Sequence, residues 1–186
     1  VKQYGPIVIS EELITPDASE EQLFVKRSTV EESFDYIIGL MDEAIPDLAE
    51  RKTGTLLGQV DQVVAKSIKA RVLLFRASPF FNGNQEYFGD FFNEDNEPYF
   101  PLEYDKEKWK DAIDAIDVAI EACHANGVEL YTYDDQVYTF DREVYSENEE
   151  KVSQIYDLRF AITEPWNNEL IWGFSDLDYY NQGELA

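Results

Sequence analysis

The chain holds one cysteine, one histidine and one methionine in 186 residues. A lone cysteine, Cys123, excludes an intrachain disulfide and any CxxC metal or redox pair. A lone imidazole, His124, excludes a histidine-rich zinc site and makes a Ser-His or Cys-His catalytic unit improbable. Cations are scarce too: 15 Lys and Arg face 39 Asp and Glu, for a formal net charge of −24. Nucleic acid and anionic membrane surfaces bind largely through basic side chains meeting phosphates, so both are poor partners, whereas neutral sugars tolerate an acidic surface. No apolar run approaches the roughly 18 residues of a membrane span. The opening Val1-Lys2-Gln3-Tyr4-Gly5-Pro6 has no signal-peptide pattern.

Hydrophobic residues supply 44% of the chain, enough for a core. Residues 1–27 read as an irregular strap, broken at Gly5-Pro6 and Thr15-Pro16-Asp17. Ser28-Thr29-Val30-Glu31 has the Ser-x-x-Glu form of a capping box. Behind it Val30, Phe34, Ile37, Ile38, Met41, Ile45 and Leu48 recur at helical steps, and Pro46 falls near the end. A second helix is predicted from about Gln59 to Ala77, stopped by Pro79. It carries Lys66, Lys69, Arg71 and Arg76, whose ordinary role is to neutralise Glu31, Glu32, Asp35 and Asp42 on the preceding helix. Asp105 caps a third helix with the apolar stripe Trp109, Ala112, Ile113, Ile116, Ala119, Ile120 and Cys123. Gly127 is its left-handed terminus and Val128 packs back. We expect Leu74, Phe75, Trp109, Ile113 and Ile116 to be buried together and Asp111, Asp114 and Asp117 to be exposed.

Between the second and third helices, residues 80–104 form a loop with nine aromatics among 25 residues. Loops of this length are often functional. Most of these rings are expected to pin the loop to the helices, although an exposed ring can stack on a sugar face. Asn93-Glu94-Asp95-Asn96-Glu97 lacks the order of a calcium loop and reads as solvated. Further on, residues 149–162 suggest a fourth helix through Val152, Ile155, Tyr156 and Phe160, and residues 166–174 a short extended element.

The expected fold is therefore all-α, built of tetratricopeptide-like helical hairpins with long aromatic-rich loops. Ala70-x3-Leu74-x2-Ala77 fits that repeat's second helix, but a strict 34-residue period is missing.

Several separate stretches resemble, in order, the SusD/RagB family of surface glycan-binding lipoproteins of Bacteroidetes. They are Tyr4-Gly5-Pro6-Ile7-Val8, Arg27-Ser28-Thr29-Val30-Glu31-Glu32, Lys69-Ala70-Arg71-Val72-Leu73-Leu74-Phe75 with Ala77-Ser78-Pro79-Phe80-Phe81-Asn82, Trp109 on a Tyr-Asp-Lys-x-x-Trp helix, and Asn168-Glu169-Leu170-Ile171. The resemblance implies a non-enzymatic, glycan-binding component of an outer-membrane nutrient-uptake system. Its partners would be an oligo- or polysaccharide and a TonB-dependent, SusC-like transporter. It also implies a cell-surface protein held by a lipid anchor lying outside this chain, and it makes residues 1–186 a single SusD-like region internal to a larger protein. The matched motifs are structural and carry no binding role over.

No catalytic residue, metal or cofactor is expected. Rings stand beside amide or carboxylate groups at Trp166-Asn167-Asn168 and again at Asp178-Tyr179-Tyr180-Asn181-Gln182, and Trp166, Asn167, Tyr179 and Tyr180 are the four candidate ligand-binding residues. Within the family, binding aromatics tend to follow the Asn-Glu motif, which favours the two tyrosines. Two other readings compete. One is a helical-repeat scaffold that binds only protein. The other is a glycoside hydrolase, for which no carboxylate spacing selects an acid and base pair.

Overall fold

Helices α1 (Glu20–Leu23), α2 (Val30–Ala44), α3 (Gln62–Ala77), α4 (Gln85–Phe88), α5 (Glu107–Ala125) and α6 (Glu149–Thr163) follow one another along the chain, with 3-10 turns at Ile45–Asp47 and Gly54–Leu56. The computed structural model describes residues 1–10, 14–133 and 149–173, without the side chains of residues 21–22 and 149–152. The fold is all-α: among the described residues the only extended pairing is an isolated bridge between Phe92 and Pro98. The chain divides into two units, residues 1–48 with 65–120, and residues 49–64 with 121–186.

In the first unit α2 begins one residue later than its sequence suggests. Thr29, not Ser28, is the N-cap: its hydroxyl accepts from Glu32 N at 3.2 Å, and Glu32 Oε2 accepts from Thr29 N at 2.6 Å. The Ser28 amide donates to Ile7 O of the N-terminal strap at 2.9 Å, and Glu31, the carboxylate a Ser28 box would use, is held by Arg76 and Lys108. The strap is also tied down where Ile7 N donates to Ser33 Oγ at 3.4 Å and where Lys2 Nζ lies 4.6 Å from the centre of the Phe75 ring. Removing the cap hydroxyl in Thr29→Ala is expected to cost about 1 kcal/mol. Chemical denaturation would show this as a lower midpoint at unchanged slope.

Charge pairing follows the helix directions. Arg76 at the end of α3 holds Glu31 at the start of α2, and Lys69 earlier in α3 holds Asp42 near the end of α2, so the two helices run antiparallel. Of the four basic residues expected to neutralise α2, Lys69 and Arg76 do so, and Arg71 lies over the Phe75 ring, 5.8 Å from its centre. Lys108 at the start of α5 also reaches Glu31, at 2.7 Å.

The face that α3 and α5 bury differs from the predicted one. Leu74 and Ile113 are 41% and 56% exposed, and the contact instead gathers Leu73, Ala77 and Ala112 with Ile38, Trp109 and Ala115. Phe75 joins a separate cluster around Val30, Phe34, Phe81 and Phe100, and Ile116 is half-buried. The alanines explain the shift: Ala77 and Ala112 are almost wholly buried, and small side chains at a crossing let helix backbones approach along their own line. Asp111, Asp114 and Asp117 are exposed, as expected.

In the second unit α5 ends as predicted. Gly127 has φ +72°, Val128 N donates back to Cys123 O at 2.9 Å, and Val128 is buried with Val63 and Cys123, with Ile171 packed against them. Asp61, 2% exposed, caps α3 by accepting from Val64 N at 3.0 Å, which sets the helix start at Gln62 and not Gln59. It also accepts from Lys52 N at 3.1 Å and Arg51 Nη1 at 3.4 Å. The same guanidinium donates to Ile171 O at 3.0 Å and Leu170 O at 3.2 Å. α6 presses Tyr156 and Phe160 against Tyr133, with ring centroids 5.2 and 4.9 Å away, and leaves Ile155, Leu158 and Ile162 exposed.

Residues 166–173 are turns, not the predicted extended element, and Phe174 lies outside the described residues. The cause is local: Trp166 takes φ +57°, Leu170 N donates to Asn167 O at 3.2 Å, and Asn167 binds its own neighbourhood, as described below.

Candidate ligand site

The loop between α3 and α5 owes its order to phenylalanines. Pro79 ends α3, since its ring cannot continue a helix, and Phe81 turns into the core at 4% exposure. Asn84 then caps α4, its Oδ1 accepting from Tyr87 N at 3.1 Å. Within that single turn the two adjacent rings differ in burial. Phe88 lies flat on Phe100, centroids 3.6 Å apart and planes 4° from parallel. Tyr87 consequently faces outward, 74% exposed. Its ring meets Phe88 nearly edge to face at 5.2 Å and Phe80 at 5.9 Å, and Phe80 in turn meets Phe81 at 5.1 Å. Tyr87 thus rests against the half-buried Phe88 and the exposed Phe80, which are backed in turn by the buried Phe100 and Phe81.

Beside Tyr87 is an open concavity of about 420 Å³, lined by Gln85, Glu86, Tyr87, Gly89, Asp90 and Phe91. Phe91 is anchored by Tyr99, centroids 4.8 Å apart. The lining residues are therefore mainly polar, with a side-chain amide and two carboxylates beside two aromatics.

The first unit has a second concavity of about 500 Å³ among α2, α3 and α5, with Ile38, Ile45, Leu73, Ala115 and Val118 as its apolar part. Its charges are largely taken: Lys69 holds Asp42, and Arg76 holds Glu31 at 2.8 Å and Asp35 at 3.0 Å. Burial opposes the charged form of Arg76, but the Glu31 hydrogen bonds and the charges of Glu31, Asp35 and Asp111 outweigh it and keep the guanidinium's pKa above its ordinary value. No group of three or more metal-ligating side chains occurs among the described residues. Asn93 Oδ1 instead accepts from Asp95 N at 3.0 Å and Glu97 N at 2.8 Å, and Lys26 lies 3.1 Å from Asp95.

Of the residues singled out by sequence, Trp166 is half-buried. Asn167 is committed to its own turn: its Nδ2 donates to Ala161 O and Glu164 O, both at 2.9 Å, and its Oδ1 accepts from Glu169 N at 3.0 Å. Tyr179 and Tyr180 lie outside the described residues. The Asn-Glu motif is a clasp: Glu129 N donates to Asn168 O at 3.1 Å, Asn168 Nδ2 to Glu129 Oε1 at 3.2 Å, and Tyr131 N to Glu169 Oε2 at 3.1 Å. Tyr87 was not singled out. Asn84 as a cap for one helical turn, followed by an outward and then an inward ring, is the signal that could have found it.

Against known proteins, no family model matches the sequence, and no curated protein does. Among solved structures the chain is similar to BT4246, a Bacteroides thetaiotaomicron protein, with 30% identity over 93% of this chain and a TM-score of 0.79. A selenomethionine form of BT4246 matches at 29% identity and a TM-score of 0.73. The chain spans 32% of the length of the first structure and 31% of the second. These matches fit a Bacteroidetes origin.

Proposed function

We propose that the chain is part of a SusD/RagB protein, a glycan-binding, non-enzymatic component of an outer-membrane uptake system that works beside a TonB-dependent transporter at the cell surface. The observation that carries this reading is the ordered set of family-like stretches, several of which hold structural posts. The Arg-Ser-Thr-x-Glu-Glu stretch supplies the cap of α2. Ala77, Phe81 and Asn82 of the Ala-Ser-Pro-Phe-Phe-Asn stretch are buried, and the Asn-Glu motif is the clasp just described. Similarity to a Bacteroides protein at 30% identity supports the same reading.

The test is affinity electrophoresis of the full-length protein through gels containing different polysaccharides, with a reducing-sugar assay alongside. Retardation by at least one polysaccharide without release of reducing ends is expected. Release of reducing ends would overturn the reading in favour of a glycoside hydrolase. Mobility unchanged in every gel would leave a protein-binding helical scaffold.

A further inference from the structure

We infer that a sugar ring stacks on Tyr87, and that the ligand class is neutral glycan and not polyuronate; the inference rests on the glycan-binding reading above. Three observations lead there. First, Tyr87 is a large ring exposed at 74% that leans edge to face on Phe88, which lies flat on the buried Phe100. A large ring already exposed to solvent offers its face to a ligand without any rearrangement of the core.

Second, its surroundings suit a sugar. A pyranose offers a C–H face to an aromatic ring and hydroxyls to polar groups, and the concavity provides Gln85, Glu86 and Asp90 next to Tyr87 and Phe91. The space of about 420 Å³ is of the size that small ligands occupy, and its open form leaves room for a chain to continue past one residue.

Third, charge selects among sugars. Glu86 and Asp90 accept hydrogen bonds from hydroxyls but repel carboxylate or sulfate groups, and no Lys or Arg lines the concavity to offset them. The chain's net charge of −24 acts in the same direction at longer range.

The experiment measures retardation of the full-length protein in gels of neutral polysaccharides (dextran, galactomannan, xylan and laminarin) and of polygalacturonate. Three variants are compared: Tyr87→Ala, Tyr87→Phe and the double substitution Glu86→Gln with Asp90→Asn. We expect a neutral polysaccharide to bind and Tyr87→Ala to weaken it by about 5- to 150-fold, by analogy with removal of one stacking ring elsewhere. Tyr87→Phe should retain most of the affinity, and the double substitution should raise retardation by polygalacturonate. Thermal melting checks that the exposed substitutions leave the fold intact. Neutral binding that survives Tyr87→Ala would overturn the site while leaving the glycan reading standing. Polygalacturonate bound more tightly than every neutral polymer would overturn the ligand class. Absence of retardation in all gels would overturn both this inference and the function on which it rests.

Discussion

Gly83→Ala is expected to destabilise the protein by about 2–4 kcal/mol, combining left-handed backbone strain with overpacking. Gly83 sits at φ +80°, and a Cβ there would fall 2.5 Å from Tyr104 N, 2.7 Å from Tyr104 Cα and 2.9 Å from the carbonyl carbon of Glu103. These are backbone atoms and cannot rotate away. Nor can the two strands of the loop separate freely, because buried Asn82 clasps them: its Nδ2 donates to Asp105 O at 2.7 Å, and its Oδ1 accepts from Asp105 N at 2.9 Å. Asp105 in turn accepts from Glu107 N at 2.9 Å at the start of α5, so displacing it frays that helix. Gly127→Ala is the control, since Gly127 also has positive φ, at +72°, but nothing lies within 4 Å of its added Cβ. It should lose only the strain term, about 1 kcal/mol. Urea denaturation of both variants checks the difference, and equal losses would show that close approach is not what Gly83 provides.

That clasp illustrates what the sequence could and could not tell. Local signals were legible: the left-handed end of α5 at Gly127, the helical steps of α2, and a cationic α3 facing an acidic α2 all depend on residues a turn or so apart or on gross charge. Features set by distant partners were not. Ser28 looked like the cap, but Glu31, the carboxylate a Ser28 box would use, is held by Arg76 and Lys108, and the cap is Thr29. Leu74 and Ile113 looked like core, but Ala77 and Ala112 brought the helices together on a neighbouring line. The candidate site was hidden for the same reason. Composition shows nine rings in the loop, whereas the stacking of Phe88 on Phe100 helps leave Tyr87 the most exposed of them. Trp166 and Asn167 carried the right chemical types for a sugar site, yet the Asn167 amide closes the turn after α6.

Glu31→Ala is expected to cost about 2–3 kcal/mol, somewhat below the range for breaking a fully buried pair because the site retains some solvent. Glu31 serves two cations at once: Oε2 accepts from Arg76 Nε at 3.2 Å and Nη2 at 2.8 Å, and Oε1 accepts from Lys108 Nζ at 2.7 Å. Side-chain exposure is 28% for Glu31, 17% for Arg76 and 8% for Lys108. After the substitution Arg76 keeps Asp35 at 3.0 Å, but the Lys108 ammonium is left at low exposure with Glu31 gone. An uncompensated charge at low exposure is the expensive outcome, and it falls where α2, α3 and α5 are joined. Asp35→Ala should cost less than about 1 kcal/mol, because that carboxylate is 63% exposed and screened by water. Lys108→Met keeps an apolar stem of similar length without the charge. Paired with Glu31→Ala in a double-mutant cycle, it should recover more than about 1 kcal/mol of the loss, since the two residues are in direct contact. Equal effects of Glu31→Ala and Asp35→Ala, or strictly additive losses in the cycle, would show that the Glu31 cluster is an ordinary surface pairing and not the joint of the three helices.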